Sequence, residues 1–326
     1  MKRIPFWSAA ALCAVLAVPV LRADVKTREK TTFALEGVMG GLMKRFGGKV
    51  ANEGLTSTIA VKGNRMSSIN DLNGEIVDLS EQKLYRLDVK KKEYTVKTFA
   101  ELRAEFEKAK ADAEKEAKNA KPEEKPKAAE EPATQMTYDI DVKKTGEKKT
   151  IAGYNAEEAI VTVTAHEKGK PIEESGGFVL TNDTWLAPKI AALDERMEFE
   201  LKFVRAVYGE QFAADMQQMA SVLAMYPAYK TMASQMQTQG GKLQGTPLST
   251  TMVFEAVKSA EEMKDSGSDS SSGGGLGGMF AKKLMSGKNK PQQRAKVFTT
   301  THDLLSVDTS VSAEDLAIPA GYKEKK

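Results

Sequence analysis

Cysteine and histidine are almost missing from this chain. Its 326 residues hold one cysteine, Cys13, and two histidines, His166 and His302. A single cysteine excludes an internal disulfide framework and a Cys or Cys/His zinc set. A metal or proton-transfer site would have to be assembled from two imidazoles and carboxylates. No GxSxG nucleophile elbow and no HExxH zinc motif occurs. Gly273, Gly275 and Gly278 match GxGxxG. They follow a Ser/Asp run rather than a buried strand, so the dinucleotide reading is empty. We expect no catalytic residue, no cofactor and no metal site.

The first 23 residues read as an export signal. Lys2 and Arg3 form a basic start, Ile4 to Leu21 is apolar, and Ala23 suits the position before a cleavage site. The rival reading is an uncleaved anchor. Pro5 and Pro19 leave an apolar run shorter than the ~20 residues a span needs, which favours the signal. Leu12 precedes Cys13, whereas a lipidation site needs a small residue there. The expected mature chain therefore has no cysteine and belongs in the periplasm or outside the cell. Its charge also changes. The precursor carries +3, but residues 1–23 hold three bases and no acid, leaving 45 basic and 45 acidic side chains. No global positive field remains for nucleic acid.

Hydrophobic residues make up 41% of the chain, enough for a packed core. Two stretches read as inserts. Residues 101–133 contain 18 charged side chains. Their first part, to Ala120, should be a helix that docks through Phe99, Leu102 and Phe106 and then projects into solvent. Pro122, Pro126 and Pro132 end it in a linker. Residues 264–292 have the Gly/Ser composition of a flexible loop. Most of the rest alternates with period two. Strands are expected at Leu55–Val61, Met66–Asp71, Glu75–Leu79, Lys83–Asp88, Glu93–Thr98, from Tyr138, and at Glu158–Glu167, Gly177–Asn182, Pro247–Ser259 and Arg294–Asp308. Asn73-Gly74 reads as a hairpin turn, and Gly146 as the point where the Tyr138 strand turns back. Residues 188–239 break the rhythm and read as helices, with Phe199, Phe203, Ala206 and Val207 on one face and a break at Gly209. His302 reads as a core or rim residue beside Phe298 and Leu304, and His166 as exposed.

Several short passages carry a resemblance. They are Val61-Lys-Gly-Asn-Arg-Met66, Ile76-Val-Asp-Leu79, Lys83-Leu-Tyr-Arg-Leu-Asp88 with Tyr94, Ile151-Ala-Gly-Tyr154, Thr184-Trp-Leu186 and Ile318-Pro-Ala-Gly-Tyr322. Together they are similar to an uncharacterised family of secreted bacterial proteins. That family in turn resembles the half-barrel lipoprotein carriers LolA and LolB. The resemblance implies an α+β fold in which a curved antiparallel sheet, a half-barrel, wraps a helical lid around an apolar cavity. It implies no catalytic motif. On this reading residues 24–326 form one domain, with inserts at 101–133, 188–239 (the lid) and 264–292.

Two segments share one pattern. Residues 40–49 and 277–288 each give two glycines, large apolar residues, two bases and a closing Gly-Lys. A helical turn would gather Leu42, Met43 and Phe46 in one and Met279 and Phe280 in the other, with the bases outward. Such basic amphipathic segments suit a membrane surface or an apolar ligand. Met216, Met219 and Leu223 line a Met-rich helical face that adapts to irregular apolar shapes. These eight residues are the candidate contacts. Two functions stay open: a non-enzymatic envelope protein that binds a lipid or apolar segment between sheet and lid, and a structural or protein-interaction module whose core is filled by its own side chains. The sequence names no protein partner.

Overall fold

The computed structural model describes residues 24–36, 53–119, 136–209, 238–265 and 292–325, with a few isolated positions between them. The fold is mixed α+β, dominated by one large open sheet with few helices. Its strands are β1 (Val25–Leu35), β2 (Leu55–Lys62), β3 (Arg65–Asn70), β4 (Asn73–Asp78), β5 (Lys83–Asp88), β6 (Glu93–Thr98), β7 (Met136–Ile151), β8 (Tyr154–Glu167), β9 (Gly177–Ala187), β10 (Thr246–Val257), β11 (Arg294–Asp308) and β12 (Lys323–Glu324). They lie in the order β12-β6-β5-β4-β3-β2-β1-β11-β10-β9-β8-β7. All neighbours are antiparallel except β12, which pairs parallel to β6. Two meanders therefore meet at β1. One runs outward from β2 to β6, and the other starts at the far edge with β7 and returns to the centre with β11.

Local chemistry sets the turns. Between β3 and β4 the Asn70 side chain accepts hydrogen bonds from the backbone N–H groups of Leu72 (2.8 Å) and Asn73 (3.0 Å). This Asx turn places the reversal at Asp71-Leu72 and leaves Asn73-Gly74 inside β4, correcting the expected turn. Gly146 is not a reversal either. It takes a φ of 85° where the β7–β8 register slips between Lys144 and Lys148, so it forms a bulge and β7 continues to Ile151. The chain reverses at Ala152-Gly153, both at positive φ. Strand β1 was not foreseen.

Helix α1 (Phe99–Asn119) follows β6 directly. Glu101 accepts from the Thr98 backbone N–H at 2.7 Å, and the Thr98 hydroxyl accepts from the Glu101 N–H at 3.2 Å, a reciprocal cap. Its expected stripe holds. Phe99 and Leu102 are buried, and Phe106 meets Tyr208 edge-on at 5.0 Å. From Glu107 to Asp112 the side chains are exposed. After α2 (Ile172–Ser175), helix α3 (Ala191–Tyr208) crosses the sheet and ends at Gly209, as its sequence predicts. Arg103 of α1 donates to the Val207 and Ala206 carbonyls, satisfying acceptors at the end of α3. A short helix α4 (Ala260–Asp265) follows β10.

Both long helices cover one face of the sheet. Phe99, Leu102, Phe199 and Val207 pack with Val25, Val61, Val77 and Leu84. Burying side chains of this size stabilises by about 1.5–3 kcal/mol each. The opposite face is covered over β1 to β3 as well. Val311 and Leu316 pack on Ala60. Lys62 donates to the Val311 carbonyl, Arg65 to the Leu316 carbonyl and Ser67 to the Asp315 carbonyl. The tail after β11 thus clamps the middle of the sheet before β12 joins its edge.

Candidate functional site

Residues directly opposite on neighbouring strands share a face. Leu35 of β1 stands opposite Phe298 of β11, Phe298 opposite Phe254 of β10, Phe254 opposite Leu180 of β9, Leu180 opposite Val163 of β8, and Val163 opposite Ile140 of β7. One apolar row therefore spans six strands. Beyond it lies a second row, Ala256, Phe178, Ala165 and Tyr138. Aromatic rings link the strands. Phe254 stacks on Phe298 at 5.3 Å and 12°, Phe33 lies 5.8 Å from Phe298, Phe178 lies 5.4 Å from Phe254, and Tyr138 lies 6.3 Å from Phe178 across Ala165. Ile140, Val142 and Ala165 are buried, Phe254, Phe298, Phe178 and Leu180 are half-buried, and Phe33 is 41% exposed.

Polarity rises in the other direction along the strands. The next row, Phe33, Thr300, Met252, Asn182, Val161 and Val142, is mixed. The row after it, Thr31, His302, Thr250, Thr184, Ala159 and Lys144, is largely polar. Rows are about 7 Å apart, because two residues of strand rise that far. Thr31 hydrogen-bonds His302 Nδ1 at 3.2 Å, and His302 Nε2 lies 3.6 Å from Glu29. Glu29 is buried, accepts from Thr27 at 2.9 Å and is paired with Arg196 of α3, whose other side holds Glu200. The apolar rows and α3 therefore occupy the same face. His302 is a rim residue on the strand face of Phe298 and Leu304, as its sequence position suggests.

Asp183, Glu158 and His166 alternate with residues of these rows and lie on the other face of the sheet. Asp183, opposite Thr251, has one buried carboxylate oxygen with no hydrogen-bond partner. Burial first, then Glu158, pushes its carboxyl up, and Lys149 opposes this. The Lys149 ammonium lies 3.8 Å from the Trp185 ring centroid. His166 corrects an expectation. Its side chain is only 14% exposed and is hydrogen-bonded at both ring nitrogens. Among the described residues no group of three His, Cys, Asp or Glu side chains could hold a metal ion. Nor is any described helix long and apolar enough to cross a membrane.

The eight candidate contacts, Leu42, Met43, Phe46, Met216, Met219, Leu223, Met279 and Phe280, lie outside the described residues. The apolar rows are instead built from strand residues: Phe33 and Leu35 on the unexpected β1, and others on strands that the sequence predicts without marking them as a site. The signal was the i, i+2 spacing of Tyr138, Ile140 and Val142, of Phe178 and Leu180, and of Met252 and Phe254. Only the register turns these pairs into rows. Comparison of the chain with protein-family models and with curated proteins finds no match.

Proposed function

We propose that this is an exported, non-enzymatic protein of the cell envelope that holds a lipid or other apolar chain against the face bearing Phe254 and Phe298. The six-strand apolar row carries this reading. A row of Phe, Leu, Val and Ile running across six strands of an open sheet, with polarity rising along the strands to the row of Thr31, His302, Thr250 and Thr184, is a layout that suits an amphiphile: apolar length across the strands for its chain and hydrogen-bonding groups to one side for its head. The resemblance to the half-barrel carriers points the same way. In this reading the sheet is the half-barrel, and residues 188–239, of which α3 is a part, are its lid. A membrane surface is the natural donor or acceptor of such cargo, and nucleic acid has no role.

The test is native purification, solvent extraction and mass spectrometry of the extract, together with displacement of a fluorescent fatty-acyl probe. The expected result is a co-purifying lipid and saturable probe binding that the double change Phe254→Ser/Phe298→Ser weakens by about 10-fold or more. A clean extract and no probe uptake by the native protein would overturn the reading. That outcome favours the second function, a protein-interaction module with a filled core. One observation supports it: Met197 and Leu201, one turn apart on α3, are 57% and 52% exposed.

A further inference from the structure

His166 sits near the end of β8, opposite Thr137 of β7 and Gly177 of β9. Every partner of its ring is an acceptor. Nε2 lies 2.8 Å from Asp139 Oδ2 on β7, and Nδ1 lies 2.7 Å from the Lys170 carbonyl and 3.0 Å from the Glu167 carbonyl. A carboxylate and two carbonyls cannot donate, so both ring nitrogens must carry protons to satisfy this geometry. A neutral ring would turn one lone pair toward an oxygen.

We propose that His166 is an imidazolium clasp that ties β7 to the turn after β8, and that losing its proton as pH rises loosens the outer wall of the apolar face. The link to that face is short. Tyr138 lies between Thr137 and Asp139, and Ile140 follows, so the clasp anchors the strand that supplies the last residues of both apolar rows. The effect on cargo rests on the function proposed above, whereas the clasp itself does not.

The surroundings are specific. Gly177 is required opposite His166, because a Cβ there would stand 2.0 Å from the Ala165 carbonyl oxygen. The charged groups around the ring are Asp139 on β7, the Glu167–Lys170 pair and Lys168 in the turn, and the carboxylates of Glu174 on α2 and Glu261 on α4, whose fields reach Lys170. The Asp139 hydrogen bond raises the imidazole above its ordinary 6.5. Burial opposes this, and the two carbonyls add to the rise. A folded value above the unfolded one means that the clasp contributes fully below about pH 6.5 and is lost as pH climbs through the folded value.

The experiment uses the full protein and needs no ligand. The His166 ring is titrated by NMR, and amide exchange of Thr137–Ile140, corrected for intrinsic rates, is followed from pH 5 to 9. The expected titration midpoint lies above 6.5, and protection of these amides falls about 10-fold across it. Asp139→Asn should lower the midpoint, and His166→Gln should remove the pH dependence of protection. A midpoint at or below 6.5, or unchanged protection in the native protein, overturns the clasp. Probe binding is then measured at pH 6 and 9. If the clasp titrates as stated and binding does not change with pH, only the coupling to cargo is wrong. If no probe binds at either pH, the proposed function is wrong and the clasp stands.

Discussion

The guanidinium of Arg196, on the helix that crosses the sheet, donates to the carboxylate of Glu29, which the central strand buries. The two residues are 167 positions apart in sequence. Glu29 interrupts the inward side of β1, and without a cation above it the strand would carry an unpaired charge beneath α3. Removing one partner of such a pair is far more costly than removing both. Arg196→Met should destabilise by about 1–3 kcal/mol, less than a fully buried pair because the arginine is partly exposed. Arg196→Met/Glu29→Gln should recover part of that loss. Urea denaturation of the two variants checks this, and a double variant no more stable than the single would count against it.

Phe199 is 1% exposed and packs with strand residues and with Val207. Phe199→Ala should cost about 3–5 kcal/mol, because the cavity would sit where helix and sheet meet and neither can close it. Met197→Ala, two residues away on the exposed side, should change stability by less than about 0.5 kcal/mol. Chemical denaturation of both variants separates the inward from the outward side of α3.

Asp315 closes the tail clamp. Burial alone would raise its carboxyl, but the Ser312 backbone N–H, Lys26 and the Ser312 hydroxyl together outweigh burial and hold it below the ordinary 3.8. A depressed folded value stabilises above the unfolded value and is lost as pH falls through the folded one. Asp315→Asn should therefore be less stable than the native protein by about 1–2 kcal/mol at pH 7. The gap should narrow below about pH 4. Thermal melts at pH 7, 5 and 3 follow it, and a gap that stays constant with pH would show that the carboxylate is not the source.

Much of the architecture could be read directly. The limits of β5, β6 and β11 match the alternation in their sequences, and the docking stripe of α1 was visible as Phe99, Leu102 and Phe106. Strand β1 was missed because its inward positions include Thr27 and Glu29, and the group that makes Glu29 acceptable lies far along the chain on α3. The turn at Asn70 was missed because an Asx turn competes with the stronger Asn-Gly signal three residues later, and Gly146 because bulge and turn glycines share the same φ. The apolar face was half legible. Alternation marks one side of each strand as apolar, but which residues become neighbours is decided by register, which bulges at Lys144, Phe254 and Pro247 shift locally. The tail clamp gave no periodic signal, since it rests on backbone carbonyls accepting from Lys62, Arg65 and Ser67.

The position of β1 also fixes an order of events during synthesis. Strands β2 to β6 pair with sequence neighbours and can zip as soon as they are made. Strand β1 is made first, yet its second partner, β11, begins at Arg294. Until then each meander presents an unfinished border, β1 on one side and β10 on the other, with backbone donors and acceptors open to any passing strand. A chain stopped before residue 294 would lose more than its tail. It would hold two sheets without their seam, and self-association should follow from that break.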